Sequence, residues 1–566
     1  MKKTEPHKLS VVFCWHMHQP FYCDAESGQY ALPWVYLHAM KDYTDMAAIL
    51  EQVPGSRAVV NFVPSLTAQI QDYAERTRNW LEHGGELPDP LLTALAHDSG
   101  NYTRQQRDWL LESCFRLNHE RNLHRYPAYS RLWHLAEQCR QHDGLDYLGD
   151  DYFTDLVTWY HLGWLGETVR NTHFVARRLI EKGKNFSQQD RRDLITLIAS
   201  LLSEVPARYR KLAEDGKIEI STTPYAHPII PLQLDFETAH ETVADALIPD
   251  EPYPGGKERA QNHIDLAKRH HAATFGHPAR GCWPAEGAVS QATVEMLGKS
   301  GFDWCATGEG VLHHSLGYNV REKEGGCDLY HPWRTGKSGN INCFFRDDHL
   351  SDLLGFEYQS WGTEDAVANF VHELKGIHHR TQGEAAPVAS IIMDGENAWE
   401  HYHENALPFL TSLYQAISEQ DEFELTTFSG YLAAHAKQPV LKRMAAGSWV
   451  YGNLSTWIGD AAKTRAWELL IDAKKAFDQA KNKGSLSNEQ MTAADEQLRI
   501  CEGSDWCWWF GDYNPGPVVR DFDRLYRNHL RKLYQLIGAP VPASLDSAIS
   551  DGGDSAEGGG TMRRGN

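Results

Sequence analysis

The sequence runs to 566 residues, 42% hydrophobic and 23% charged, with 55 basic and 76 acidic side chains and a net charge of −21. Such a length calls for one large domain with appendages or for two to three domains, in an ordinary globular chain rather than a disordered one. The acidic balance repels phosphate backbones and argues against a nucleic-acid partner, and no run of about 18 apolar residues offers a membrane span.

The N-terminal MKK is followed by a short apolar run that leads straight into histidines, so the segment reads as a first strand and not as an export signal. The ten cysteines, none in a CxxC pair, then fit reduced thiols and a cytoplasmic setting. Eighteen Trp, 24 Tyr and 20 Phe suit either a large core or a site where flat rings stack on sugar faces.

Short apolar strands recur along the chain, with helical patterns between them. They are expected at Leu9–Trp15, Ala58–Phe62, Ile218–Ser221, Gly281–Trp283, Asp303–Thr307, Asn342–Arg346 and Val388–Met393, with Phe423–Phe428 as a possible last member. Helical stretches include 262–274, 292–299 and 363–379, the second with Ser290 as N-cap and Gly301 past its end. Strands alternating with helices imply a parallel sheet, and seven or eight of them close into a TIM-type barrel. In such barrels the chemistry sits at the C-terminal strand ends. His16, His18, the stretch Glu219 to His227, Glu286 and Asp394 all fall at or after predicted strands.

The expected organisation is a barrel over residues 1–435 with a helical insertion at about 85–210 lying over its mouth. A C-terminal helical domain at 436–545 contributes to the cleft, and a Gly- and Ser-rich tail at 546–566 is expected to be disordered.

Glu286 lies in GCWPAEGAVS, where a strand ends beside Trp283, Pro284 breaks it and Gly287 lets the backbone turn. A helix-start carboxylate is the plain alternative. Asp394 lies in SIIMDGENAWEHY, an apolar strand running into D-G-E beside Trp399; a simple Asp-Gly turn is the plain alternative. Two carboxylates can divide glycoside cleavage between a protonated acid and an ionised nucleophile or base. His16 and His18, two apart on an extended segment, point the same way, and His227 is a third imidazole. They suit sugar hydroxyls, a metal or a satisfied core. The span FFRDDHLSDLLGFEY gathers Arg346, Asp347, Asp348 and Asp352 into a possible ion-pair network. Two Trp-rich stretches, GSWVYGNLSTWIGD and GSDWCWWFGDYN, could bind further sugar units or pack a domain interface.

Together these residues resemble glycoside hydrolase family 57, with closest likeness to its amylase and amylopullulanase-type members. The family's motifs occur in order as HQP at His18, GKIEI at Gly216, WPAEG at Trp283, MDGENAWE at Met393 and the region Gly447 to Trp467. The resemblance implies a (β/α)7 incomplete TIM-type barrel followed by a helical domain, and a retaining mechanism on α-glucans without an obligatory metal or other cofactor. Glu286 would be the nucleophile and Asp394 the general acid/base. His18, Glu219 and Glu396 match supporting residues, and Trp457, Asp460 and Asp505 are further candidates. Substrate contacts are thus expected from His16, His18, Glu219, His227, Trp283, Arg346, Asp352, Glu396, Trp399, Trp457, Asp460 and Asp505. Branching or 4-α-glucanotransferase activity could use the same residues. A metal-dependent deacetylase or mannosidase built on His16, His18 and Asp352, and a non-catalytic glucan-binding protein, are the readings from other classes.

Overall fold

The computed structural model describes residues 8–97, 100, 102–142, 144–323, 326–336, 341–553 and 561–563. Nine strands share one sheet: β1 (Leu9–Met17), β2 (Ala58–Phe62), β3 (Ile218–Thr222), β4 (Gly281–Cys282), β5 (Trp304–Thr307), β6 (Trp333–Thr335), β7 (Ile341–Phe345), β8 (Val388–Asp394) and β9 (Phe423–Leu425). Strands β8, β1, β2, β3, β4, β5 and β7 pair in parallel in that order. A parallel bridge from Arg346 to Ser390 joins β7 back to β8, with Asp347 N donating to Ser390 O at 2.8 Å. The ring is therefore a seven-stranded (β/α) barrel.

Alternation along the strands decides what faces inward. Val12 and Cys14 of β1 pack in the barrel interior with Val59, Trp283, Trp304, Phe344 and Ile392, whereas Val11, Phe13 and Trp15 pack outward against the helices. Continuing the same alternation brings His16, Asn61, Ser221, Arg346 and Asp394 onto the inner face. The interior thus changes from apolar to polar towards the C-terminal strand ends, where a solvated cleft can accept ionisable groups. Gly281 lies against Trp304, and a Cβ there would stand 1.8 Å from the indole. That bulky ring fills the narrow interior only because the neighbouring strand carries no side chain.

Two strand expectations need correction. Phe423–Phe428 does not supply a further barrel strand. β9 ends at Leu425, pairs with β1 outside the ring, and gives way to the helix Phe428–Ala434, capped by Thr427. Phe428 and Tyr431 of this helix pack into the barrel interior. The antiparallel β6, which pairs with β7, carries only three residues and no alternation long enough to be read in advance.

Between β2 and β3 the chain is helical, ending in the long Gln188–Glu214 helix that packs on Pro64–His83. Beyond the barrel come helices Ala461–Lys483, Asn488–Cys501 and Gly516–Leu536. A buried ion cluster ties them to the barrel's own helix Gly256–Phe275: Arg259 donates from Nε and Nη2 to Glu502, each at 2.7 Å, and His263 Nε2 lies 2.8 Å from the same carboxylate. The Arg259 guanidinium and the His263 hydrogen bond hold the Glu502 carboxyl well below its ordinary range despite burial.

Part of the C-terminal segment makes contacts of its own. Ser550 is buried and accepts from Gly511 N, while Gly553 exchanges backbone bonds with Asn514 and Gly516. Backbone pairing holds these residues in spite of a composition that suggests disorder. Residues 554–560 and 564–566 of the tail lie outside the described residues. Among the described residues no helix is long and apolar enough to cross a membrane.

Candidate active site

A cavity of about 690 Å³ opens at the C-terminal end of the barrel, within the range of roughly 300–1,000 Å³ usual for ligand pockets. Glu286 and Asp394 both line it, with His16, His18, Arg346, Glu396 and Asp505.

Glu286 sits just past β4 in a left-handed backbone conformation, φ 58° and ψ 22°. A non-glycine residue there costs of order 1–3 kcal/mol, and such strain collects where a side chain must be aimed. Gly287 follows with φ 61°, where a Cβ would come within 2.8 Å of Trp283. Trp283 is therefore the floor beneath this turn; it is buried and does not line the cavity. Trp449 Nε1 donates to Glu286 Oε2 at 2.9 Å, and Trp449 N donates to Glu286 O. The loop carrying Trp449 is anchored by a two-way backbone bridge between Val289 and Gly447. The guanidinium of Arg346 lies 5.7 Å from the Trp449 ring. It donates to Asp348 at 2.5 Å, to Asp352 at 2.6 Å and to Ile392 O at 2.8 Å. Asp352 thus acts on the cleft through Arg346 rather than by lining it.

Asp394 ends β8 and accepts from Asn397 Nδ2 at 2.9 Å. Burial pushes its carboxyl up to about 6, against the pull of Asn397, His18 and Arg346. Burial and then the Asp394 charge push Glu286 to about 8, against the Trp449 bond. Glu396, two residues on, is driven well above its usual range by burial and by Asp394. Its Oε1 accepts from Gln19 Nε2 at 3.2 Å, while Oε2 is buried without a partner. Protonated, Glu396 can donate a hydrogen bond. Three carboxyls crowded in a low-dielectric cleft cannot all ionise at neutral pH, so the site holds mobile protons.

The imidazoles form a stack: His18 and His227 ring centres are 3.8 Å apart, and His16 and His227 are 5.3 Å apart. Burial, then neighbouring imidazoles, lowers His16 to about 3 and His227 well below its ordinary value, so both are neutral. His16 Nδ1 bonds Asn61 Oδ1 at 2.8 Å and His227 Nδ1 bonds Ser504 Oγ at 2.8 Å, leaving both Nε2 atoms buried without partners. His18 Nε2 bonds Asp505 Oδ1 at 2.7 Å. The ligand atoms of His18, His227 and Asp505 lie within 4.8 Å of one another, so these three could hold a metal ion. The unpartnered His16 Nε2 equally suits a sugar hydroxyl, whereas His227 is fully buried and does not line the cavity.

Several expected contacts lie elsewhere. Glu219 faces the barrel interior away from the cavity; it accepts from Trp304 Nε1 at 2.8 Å, Ser429 N at 2.9 Å and Ser429 Oγ at 2.5 Å. It is placed by its position early in β3 and it caps the plugging helix. Trp399 is buried and donates to Gly395 O; Trp457 is buried behind Trp508. Asp460 caps the helix Ala461–Lys483 through Lys463 N. None of these four lines the cavity. The residues missed by sequence reasoning are chiefly aromatic: Trp34, Phe115, Trp164, Trp449, Trp508 and Trp509. The GSWVYGN and SDWCWWFG stretches signalled three of them, but composition does not say which Trp of a cluster faces a cleft.

Comparison with known proteins agrees with this architecture. The profile of glycosyl hydrolase family 57 matches residues 12–444. Among solved structures, the α-amylase AmyC from Thermotoga maritima is similar at 12% identity and TM-score 0.58, over 94% of this chain and 93% of that one. A family-57-type branching enzyme from Pyrococcus horikoshii is similar at 14% identity and TM-score 0.58, over 93% and 89%. A branching enzyme from Thermococcus kodakaraensis is similar at 14% identity and TM-score 0.55, over 93% and 90%. At those identities the likeness speaks for the fold. Comparison with curated proteins gave no match. With 12–444 matched and the barrel closed around paired carboxylates, the chain belongs to glycosyl hydrolase family 57 and is a glycoside hydrolase.

Proposed function

We propose that the cleft cleaves α-glucans by double displacement, with Glu286 as nucleophile and Asp394 as general acid/base. The observation that carries this reading is the meeting of two carboxyls, buried Glu286 and half-buried Asp394, from two strand ends in one cavity. Glu286 attacks the anomeric carbon while Asp394 protonates the departing oxygen; Asp394 then takes the proton from the incoming acceptor.

In the free site the proton rests more readily on Glu286, at about 8, than on Asp394, at about 6. Attack needs the reverse arrangement. Positive charge developing at the anomeric carbon favours the Glu286 anion, and covering Asp394 with the sugar favours its neutral form. The singly protonated pair is then the active form, with greatest population between about 6 and 8. His16 offers its unpartnered Nε2 atom to a sugar hydroxyl, and Glu396 can donate to another. The α-glucan assignment follows the family and the printed activities of similar structures, an α-amylase and branching enzymes.

Transfer to a second sugar is the alternative outcome, favoured by the aromatic lining from Trp34, Phe115, Trp164, Trp508 and Trp509. Apolar walls disfavour water and welcome a sugar face as acceptor. We further propose a barrel unit over 1–435 with its helical insertion at 85–210, a helical unit over 436–545, and a reducing, cytoplasmic setting. No two of the ten cysteines are joined by a disulfide.

Digestion of maltoheptaose, pullulan and glycogen, with the anomer of the first product recorded, tests the reading. Net retention and loss of turnover in Glu286→Gln and Asp394→Asn are expected. Near wild-type turnover in either variant would reject it. Longer or branched products without new reducing ends would select transfer over hydrolysis.

A further inference from the structure

Thr561, Met562 and Arg563, close to the C-terminus, line the same cavity as Glu286 and Asp394. Gly553, the last residue described before them, is held by backbone contacts. Gly553 N donates to Asn514 O at 2.9 Å, and a Cβ on Gly553 would stand 2.0 Å from Asp512 O. The Arg563 guanidinium carbon lies 4.4 Å from the Trp508 ring centre and 4.8 Å from that of Tyr513. Tyr513 carries Lys463 Nζ at 4.9 Å as well. Arg563 Nη1 donates to Thr456 Oγ1 at 3.4 Å, and Nη2 to Trp508 O at 3.3 Å.

These contacts leave much of the guanidinium's hydrogen-bonding capacity unused. A guanidinium has five N–H donors, and among the described residues two are engaged in long bonds, with the Nε buried. A planar cation held over aromatic rings is pre-organised, so little entropy is lost when it binds a hydroxyl. Trp508 itself lines the cavity, so aromatic face and cation occur at the same wall. That pairing suits a sugar, which presents an apolar face and a rim of hydroxyls.

We propose that Arg563 is a substrate-positioning and specificity-determining residue, a guanidinium that with Trp508 forms a sugar-binding wall beside the reacting carboxyls. The proposal rests on the α-glucan reading above. The Arg563 charge also reaches Glu286, whose carboxyl it pulls down, against burial and the anions Asp394 and Asp505. The other groups facing Glu286 are neutral: His227 Nδ1 at 3.8 Å, and the Trp449 N–H donor.

The test compares Arg563→Ala and Arg563→Lys in the full-length protein, with kcat and KM for maltoheptaose and amylose measured across pH. Arg563→Ala is expected to raise KM about five- to tenfold, with a melting temperature like wild type. Its alkaline limb moves to higher pH, because Glu286 loses a cation that favours its anion. Arg563→Lys keeps the charge but not the planar donor set, so it raises KM while leaving the alkaline limb in place. Wild-type KM and limb in Arg563→Ala would overturn the proposal, as would a lysine variant indistinguishable from the alanine one. Failure of the underlying reading shows separately, as retained turnover in Glu286→Gln.

Discussion

The two ends of this barrel carry acidic residues in opposite conditions. At the plugged end Glu219 accepts three hydrogen bonds, from Trp304 and Ser429, and meets a helix N-terminus. At the open end Glu286 has one side-chain hydrogen bond, from Trp449, and Glu396 has an oxygen with none. Glu219 stands within a strand, whereas Glu286 and Glu396 follow strand ends. The difference lies in how far each carboxylate's demand for donors is met. A satisfied carboxylate is a structural tie; an under-satisfied, buried one has its proton affinity raised and becomes available for chemistry.

The sharpest break of that comparison exchanges charge for amide at each end. Glu286→Gln should cut kcat by about 10⁴-fold or more while leaving the melting temperature near wild type. Glu219→Gln should do the reverse, costing about 1.5–3 kcal/mol of stability through weakened charge-assisted bonds while keeping kcat within a few-fold. Denaturant unfolding and initial rates on the two variants check both halves. If Glu219→Gln abolished turnover without loss of stability, the division between the ends would fail.

Asp394→Asn should lower kcat by about 10²–10⁴-fold and remove the limb of the pH–rate profile near 6. It also deletes the anion that raises Glu286, and with the acid gone the remaining titration is that of the nucleophile, whose ionisation should appear as an acidic limb below 8 with no alkaline limb. The sign follows from each group. Below the Asp394 value both carboxyls are protonated and no nucleophile exists; above the Glu286 value both are ionised and no acid remains. A wild-type profile flat from pH 5 to 9 would contradict the shared-proton account.

A smaller effect is expected from Trp449→Phe. It removes the donor that steadies the Glu286 anion, so the alkaline limb should move up and kcat/KM should fall about tenfold, the worth of one hydrogen bond to a charged group. The smallest is Asp460→Ala, expected to cost about 0.5–2 kcal/mol of stability through the lost helix cap, with kinetics unchanged. Altered KM there would restore Asp460 as a substrate contact.

Much of the barrel was legible because short apolar runs bounded by helical patterns name strands directly. Asp394 was legible for the same reason: an apolar strand that ends on an acid must deliver it to a strand end. His16 follows from alternation with Val12 and Cys14 along β1. Misplaced residues share one cause. Glu219 lies in a motif with the right residues, but its register early in β3 sends it to the opposite end from Asp394. Trp457 and Trp449 lie in one motif, and only packing of the loop against Val289 selects Trp449 for the cleft.

The sequence by itself therefore determined most strands of the ring and the placement of Glu286 and Asp394 at the ends of two of them. These depend on local periodicity and on which residue follows a strand. Tertiary structure alone decided the closing bridge from Arg346 to Ser390, the plug from the helix after β9, the imidazole stack of His18 on His227, and the return of Arg563 to the cleft. Each joins residues far apart in the chain through burial and hydrogen-bond satisfaction, which no local pattern records.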